Sequence, residues 1–227
     1  MSAERSEWLR KLRRTAEEGY DRLEGTTYYE GPEGHIPPMH HRFASRLISL
    51  CPPGGRILDA ACGSGRYLAL VLDAGRVPVG ADQSEGMLAR ARESHPSVQF
   101  EKVGLQELAF DREFHGVMSI DAMEFVFPED WPVVVANLHR ALQSSGHVYM
   151  TVEQVNEGEL DRALKFAKDK GFPAVWGENI LRGGYHYYPS KQTVAEWIRD
   201  AGLQLVQDGY SDHGTYGYYH LLAQKSA

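Results

Sequence analysis

Residues 57–65, Ile-Leu-Asp-Ala-Ala-Cys-Gly-Ser-Gly, constrain the fold of this chain more than any other stretch. An apolar run closed by Asp59 fits a strand buried on both faces, as parallel strands in α/β sheets are. Gly63 and Gly65 then let the backbone turn tightly and approach a ligand, and the run Tyr67–Leu72 opens a helix. Two better-known glycine motifs do not fit this spacing. The dinucleotide fingerprint needs a third Gly where Arg66 and Leu68 stand, and a phosphate-binding loop needs a Lys that is absent here.

Strands and helices alternate beyond this turn. Two amphipathic helices come first, over 4–22 and 38–50, separated by the Gly- and Pro-rich segment Gly25–Pro38. Pro52-Pro53-Gly54-Gly55 breaks the pattern. The periodicity then predicts strand 56–60, helix 66–74, strand 77–81, helix 84–94, strand 97–103, strand 114–120, helix 131–143 and strand 146–152. That rhythm implies crossover units and an α/β fold with a mostly parallel sheet covered by helices on both faces. A charged helical stretch, Glu157–Lys170, leads into the long loop Gly171–Pro189, rich in Gly and aromatics, and loops of that length are usually functional. A helix over 192–201 and strands over 203–210 and 216–224 end the chain, the two strands as an antiparallel hairpin. The expected organisation is one domain over 1–227. Within it, 1–50 forms an N-terminal helical cap, 51–153 the cofactor-binding core, 154–190 a substrate-cap insertion, and 191–227 the C-terminal helix and hairpin.

Composition narrows the partners. A formal net charge of −7 argues against nucleic acid, which wants clustered Lys and Arg. The basic run Arg10–Arg14 is followed by Glu17 and Glu18 and reads as the solvated face of a helix. Two cysteines, Cys51 and Cys62, make neither a disulfide framework nor a metal knuckle. The N-terminus carries no apolar signal segment, and no window approaches the roughly 18 apolar residues that would span a bilayer. A cytoplasmic protein without a membrane or nucleic-acid partner is expected, as a monomer or homodimer.

Asp-x-x-Cys-Gly-x-Gly over 59–65, the acidic Asp82 just past the second strand, and Ser119–Phe125 after a later strand together resemble the motifs of class I S-adenosylmethionine-dependent methyltransferases. The resemblance covers residues 38–225. It implies a Rossmann-like sheet of seven strands, the last antiparallel, with S-adenosylmethionine across the carboxyl ends of the first strands and S-adenosylhomocysteine as product. Carried over, Asp59, Ala60, Gly63 and Gly65 hold the methionine moiety, Asp82 the ribose, Gln83 and Met87 flank the adenine, and Leu105 and Gln106 form the adenine-edge pair. Asp121 and Ala122 lie beside the sulfonium. The family's N-terminal helix often adds a Tyr to the cofactor carboxylate, and Tyr28, with Tyr20 and Tyr29, is the candidate. Asp82 is compatible with a second role as a helix N-cap.

The resemblance leaves the acceptor open at N, O or C. A sulfonium already carries a good leaving group, so the protein must align, desolvate and, for hydroxyls and weak carbon nucleophiles, remove a proton. His186, flanked by Tyr185, Tyr187 and Tyr188, is the first candidate base, because His titrates near working pH. Glu153, Glu124 and His41 follow. Recurrent aromatic residues favour an aromatic acceptor over an aliphatic one. Asp121 is followed by Ala122 and Met123, not by further oxygen ligands, so no metal is expected. A methyltransferase acting on tRNA or protein and a non-catalytic cofactor-binding regulator are the alternatives.

Overall fold

The computed structural model describes residues 2–21, 36–180 and 184–226. Its centre is a seven-stranded sheet of β1 (Arg56–Ala60), β2 (Val77–Asp82), β3 (Gln99–Lys102), β4 (Phe114–Ser119), β5 (Leu142–Gln154), β8 (Leu203–Asp212) and β9 (Gly217–Lys225). The order is β3-β2-β1-β4-β5-β9-β8, and only β9 runs antiparallel to its neighbours. The chain winds outward from β1 to β3, then returns to start β4 on the other side of β1. The carboxyl ends of β1 and β4 therefore part, which is where open sheets bind ligands.

Alternation along β1 divides the core. Ile57 faces one side, with Phe43, Ala44 and Leu47 of α2 (Pro38–Leu50) and Val71 of α3 (Leu68–Asp73). Leu58 faces the other, with Trp131, Val134, Val135 and Leu138 of α5 (Trp131–Ala141). Trp131 is fully buried and stacks on Trp197 of α7 (Lys191–Asp200), ring centroids 4.9 Å apart. Each large side chain buried this way stabilises the fold by about 1.5–3 kcal/mol.

The glycine turn 61–67 follows β1. Gly63 (φ +53°) and Gly65 (φ +88°) both adopt left-handed backbone, and a Cβ on Gly65 would lie 2.9 Å from the side chains of His95 and Leu68. The turn delays α3 to Leu68, two residues later than the expected helix start at 66. On the next crossover, α4 (Glu85–Ser94) opens from Ser84, whose hydroxyl accepts from Met87 N–H at 3.1 Å. β5 starts at Leu142, earlier than periodicity places it, because Leu142 pairs with Phe114 before the register shifts to Gly116 and His147.

α1 (Ala3–Asp21) and the segment after β5 meet above the sheet's carboxyl edge. That segment holds α6 (Glu157–Asp169) and, inside the expected loop, two paired two-residue strands, β6 (Glu178–Asn179) and β7 (His186–Tyr187). Arg5 of α1 is 7% exposed and joins both parts: it donates to Glu178 at 2.9 and 3.0 Å, to Pro173 O at 2.7 Å and to Glu129 at 2.5 and 3.0 Å. Trp8 packs beside it on Phe172 and Tyr185. Among the described residues, no helix is long and apolar enough to cross a membrane.

Candidate active site

A cavity opens where β1 and β4 part. Its walls include the glycine turn, the ends of β2 and β4, the segment 103–106, and Leu12, Arg13 and Ala16 of α1.

The first wall is backbone. Ala61 and Cys62 both donate N–H to Ala81 O, at 2.8 and 2.9 Å, which pins the turn to β2. Gly63 N–H donates to Asp82 Oδ2 at 2.8 Å, and Ser84 N–H to Asp82 Oδ1 at 2.9 Å. Asp82 thus ties the turn to the start of α4 while still bordering the cavity. The helix N-cap is Ser84, so the second role expected of Asp82 belongs to a residue two positions further on.

Asp59 also borders the cavity and is 1% exposed, yet its Oδ2 has no hydrogen-bond partner. Burial, with the charge of Asp82 adding to it, pushes its carboxyl up to about 8. A Cβ built on Gly63 meets nothing within 4 Å. An unpartnered carboxylate oxygen, a bare glycine facing open space and a second carboxylate 19 residues along fit the ammonium, the methionine chain and the ribose hydroxyls of S-adenosylmethionine.

Most residues expected at the cofactor converge here. Asp59, Gly63, Asp82, Gln83, Met87, Leu105, Gln106, Asp121 and Ala122 all border the cavity. Ala60 stays in the buried strand and Ala61 takes the wall position. Gly65 stands behind the wall and closes the turn by donating N–H to Cys62 O at 2.9 Å. Asn137, buried on α5, fixes the 105–106 corner by donating from Nδ2 to Leu105 O and Gln106 O at 3.1 and 3.0 Å. No motif announces Asn137; its place on the buried stripe of α5 is the only sequence signal. Tyr28 and Tyr29 lie outside the described residues.

The second wall is made of side chains. Asp121 has φ +53°, a conformation Asp tolerates better than most residues, and its N–H donates to Thr151 Oγ1 on β5 at 2.8 Å. His40 Nε2 meets Asp121 Oδ1 at 2.9 Å, while Oδ2 has the Tyr67 hydroxyl at 3.4 Å and Arg66 at 3.8 Å. His40 is 1% exposed and its neighbour His41 is exposed. The phase of α2 explains which of the two turns inward: His40, Phe43, Ala44, Leu47 and Ile48 share its buried face.

The three expected catalytic residues take different places. The Tyr185 ring borders the cavity, but its hydroxyl donates to Glu178 Oε1 at 2.7 Å within the Arg5 network. His186 lies behind Phe125, ring centroids 5.1 Å apart, and stacks on Tyr188. Glu153 is buried near the end of β5 opposite Tyr218, outside the cavity wall. Glu124 is also buried, and burial, with Asp121 and Glu153 adding, holds its carboxyl well above the usual range. Among the described residues, no cluster of three or more His, Cys, Asp or Glu is placed to hold a metal.

Comparison with known proteins agrees with this geometry. Residues 57–146, from β1 into β5, match a family described as a methyltransferase domain. The chain is 27% identical over 188 residues to a ubiquinone biosynthesis O-methyltransferase of Hahella chejuensis, covering 78% of this chain and 73% of that protein. It spans about half the length of two other curated relatives, 45% and 46%. Its fold matches the Burkholderia thailandensis 1,6-didemethyltoxoflavin-N1-methyltransferase, solved with its acceptor and S-adenosylhomocysteine, at a TM-score of 0.69 and 17% identity over 100% of this chain and 92% of that one. It also matches the Synechocystis magnesium protoporphyrin IX methyltransferase with bound S-adenosylhomocysteine, at a TM-score of 0.67 and 17% identity over 96% and 99% of the two chains. At such identities the likeness is one of fold. The chain thus shares the seven-stranded fold of these methyltransferase structures, and its residues 57–146 match the methyltransferase domain family.

Proposed function

We propose that this chain is an S-adenosylmethionine-dependent methyltransferase whose acceptor is a small molecule. The observation that carries the reading is the set Asp59, Gly63 and Asp82, gathered at the switch point inside the segment that matches the methyltransferase family. The cofactor, when bound, supplies an electrophilic methyl group and a neutral thioether leaving group. The chain does the rest: Asp59 receives the ammonium, Asp82 accepts the ribose hydroxyls from a carboxylate already oriented by Gly63 and Ser84 N–H, and the corner at Leu105 and Gln106, set by Asn137, meets the adenine.

α1 and the segment 154–190 act as a cap in this reading. Arg5 holds the two together, and Leu12, Arg13 and Ala16 bring α1 into the cavity wall, where it excludes water from the reacting centre. Phe125, Phe127, Tyr67 and Tyr185 give the cavity an aromatic lining, which supports a planar acceptor. The small molecules for which the structural neighbours are named, 1,6-didemethyltoxoflavin and magnesium protoporphyrin IX, support the same size class. The acidic balance disfavours tRNA as acceptor, and two buried thiols without a disulfide support a cytoplasmic setting.

Isothermal titration tests the reading. The protein should bind both S-adenosylmethionine and S-adenosylhomocysteine, and Asp82→Ala should weaken both by about tenfold or more, the loss of a charge-assisted pair of hydrogen bonds. Failure of the wild type to bind either would end the proposal. Binding without transfer to any acceptor would favour a regulatory module.

A further inference from the structure

We propose that Arg13 is the anion-binding residue of the acceptor subsite, and that the acceptor is a planar small molecule carrying a carboxylate, which the guanidinium holds beside the Phe127 ring. This rests on the methyltransferase reading and adds the residue that selects the acceptor and the charge class it selects.

Arg5 and Arg13 both lie on α1, and the structure uses them differently. Arg5 is 7% exposed and saturated: its Nε, Nη1 and Nη2 donate to Glu129, Glu178 and Pro173 O. Arg13 borders the cavity with its side chain 37% exposed. Among the described residues its one hydrogen bond runs from Nη2 to Asp130 Oδ2, which leaves most of the five N–H groups of a guanidinium unused. The guanidinium lies over the Phe127 ring, 5.1 Å from its centroid, and the Tyr185 ring meets Phe127 edge-on at 4.6 Å. A residue that served only to latch α1 would spend its donors as Arg5 does. Spare donors in a cavity wall, supported on an aromatic ring, suit a guanidinium that takes a carboxylate through two N–H groups.

The cofactor does not need this cation. In the proposed reading its amino-acid end meets Asp59 and Gly63, where the glycine turn brings Arg66 to the same cavity, 3.8 Å from Asp121. Its adenine meets the corner set by Asn137, which stands seven residues, or about 10 Å of helix, from Asp130, the N-cap of α5 and the partner of Arg13. That leaves Arg13, with Phe127 and Tyr185, for the acceptor. Glu129 belongs to Arg5, so Arg13 shares its charge with Asp130 alone and suits a singly charged group. A chain of net charge −7 repels anions at range, so an anionic acceptor needs a cation at the site itself.

Helix phase picks Arg13 from its neighbours. In the basic run Arg10–Arg14, residues Arg10, Lys11 and Arg14 are exposed, whereas Leu12, Arg13 and Ala16 turn to the cavity. The run is a solvated face with one member turned inward. In the bound state the carboxylate joins Arg13 through the donors that Asp130 leaves over, and the acceptor's plane rests against Phe127 and Tyr185. Arg13 gives and takes no proton. It fixes the direction from which the acceptor meets the methyl group.

The test uses the full chain, labelled S-adenosylmethionine and a small-molecule extract of the source cells. Passing the extract over an anion exchanger at neutral pH should remove the acceptor, and with it the transferred label. Label that persists with the flow-through overturns the proposal. With untreated extract at limiting concentration, Arg13→Gln should lose at least about tenfold in labelling, the effect of hydrogen bonds to a charged group, while S-adenosylhomocysteine affinity stays within about twofold. Asp130→Asn breaks the same ion pair but keeps the cation, so it should label about tenfold better than Arg13→Gln. Equal losses in the two variants make Arg13 a latch for α1, a matching fall in S-adenosylhomocysteine affinity moves it to the cofactor, and wild-type labelling by Arg13→Gln gives it no part in binding; each overturns the proposal and leaves the methyltransferase reading standing. A wild type that binds no S-adenosylhomocysteine, or labels nothing in any fraction, fails that reading itself and the proposal with it.

Discussion

The two walls of the cavity are built on different principles. From Asp59 to Asp82 the wall is a strand end, a glycine turn and a helix start, close in sequence and joined by backbone N–H groups that donate to Ala81 O and to the Asp82 carboxylate. Across from it, the wall and cap depend on side chains that meet from far apart: His40 and Asp121 are 81 residues apart, Arg5 and Glu178 are 173. A turn imposes its residue types locally and so leaves a motif. A meeting of distant side chains leaves only burial phase and charge, spread over the chain.

The largest effect should come from the long-range side. Arg5→Met removes the cation that serves Glu178, whose side chain is fully buried, and leaves that carboxylate with Tyr185 Oη and Val175 N–H. Removing one partner of a buried pair costs about 3–5 kcal/mol. The loss should be local, because α1 is otherwise held by its apolar stripe and by the ion pairs of Arg13 with Asp130 and Glu17 with Lys102, and neither pair reaches the sheet core. Amide exchange in α1 and in 171–180 should therefore rise while β1, β4 and β5 stay protected. Uniform loss of protection would show that the cap and core form one cooperative unit.

The glycine turn should respond in the opposite way, losing function while keeping its fold. Gly63→Val forces a β-branched residue to φ +53° and puts its side chain into the open space of the cavity. The strain is about 1–3 kcal/mol. Affinity for S-adenosylhomocysteine should fall by about a hundredfold, or 2.7 kcal/mol, or more. Wild-type affinity in this variant would mean the cofactor does not rest on that turn.

The same contrast explains what the sequence disclosed. The alternation of strands and helices, the single antiparallel strand and the residues of the first cavity wall were legible, because an apolar run before a Gly-x-Gly turn has few other structures to adopt. Asp82 was legible as an acidic group near the turn, but its bonds to Gly63 and Ser84 N–H were not, since a capping role reads equally well at either residue. His186 drew attention as a His among tyrosines, and the fold sets it behind Phe125. His40 was passed over beside His41, although the spacing of Phe43, Ala44, Leu47 and Ile48 marks which of the pair turns inward. Arg5 read as part of an ordinary helix, and nothing near it in sequence announces Glu178.

Asp59 offers the finest comparison, because it and Glu124 are both buried carboxyls, yet only Asp59 borders the cavity. In the unfolded chain Asp59 gives up its proton near 3.8, whereas in the fold it keeps it up to about 8. Between those values the folded state holds one more proton, so stability is greatest below the window and falls as pH rises through it, by up to about 1.4 kcal/mol per pH unit. Glu124 contributes in the same direction from its own ordinary value of 4.5 upward. Denaturant midpoints of the free protein at pH 6 and 7 should show this slope, with Asp59→Asn and Glu124→Gln each removing a part. In the proposed reading, S-adenosylhomocysteine brings its ammonium to Asp59 and not to Glu124. It should flatten the slope in the wild type and in Glu124→Gln, yet leave the residual slope of Asp59→Asn unchanged. If the cofactor product flattened the Asp59→Asn slope as well, the two walls would be coupled through Glu124, and the division between a backbone-built wall and a side-chain-built one would fail.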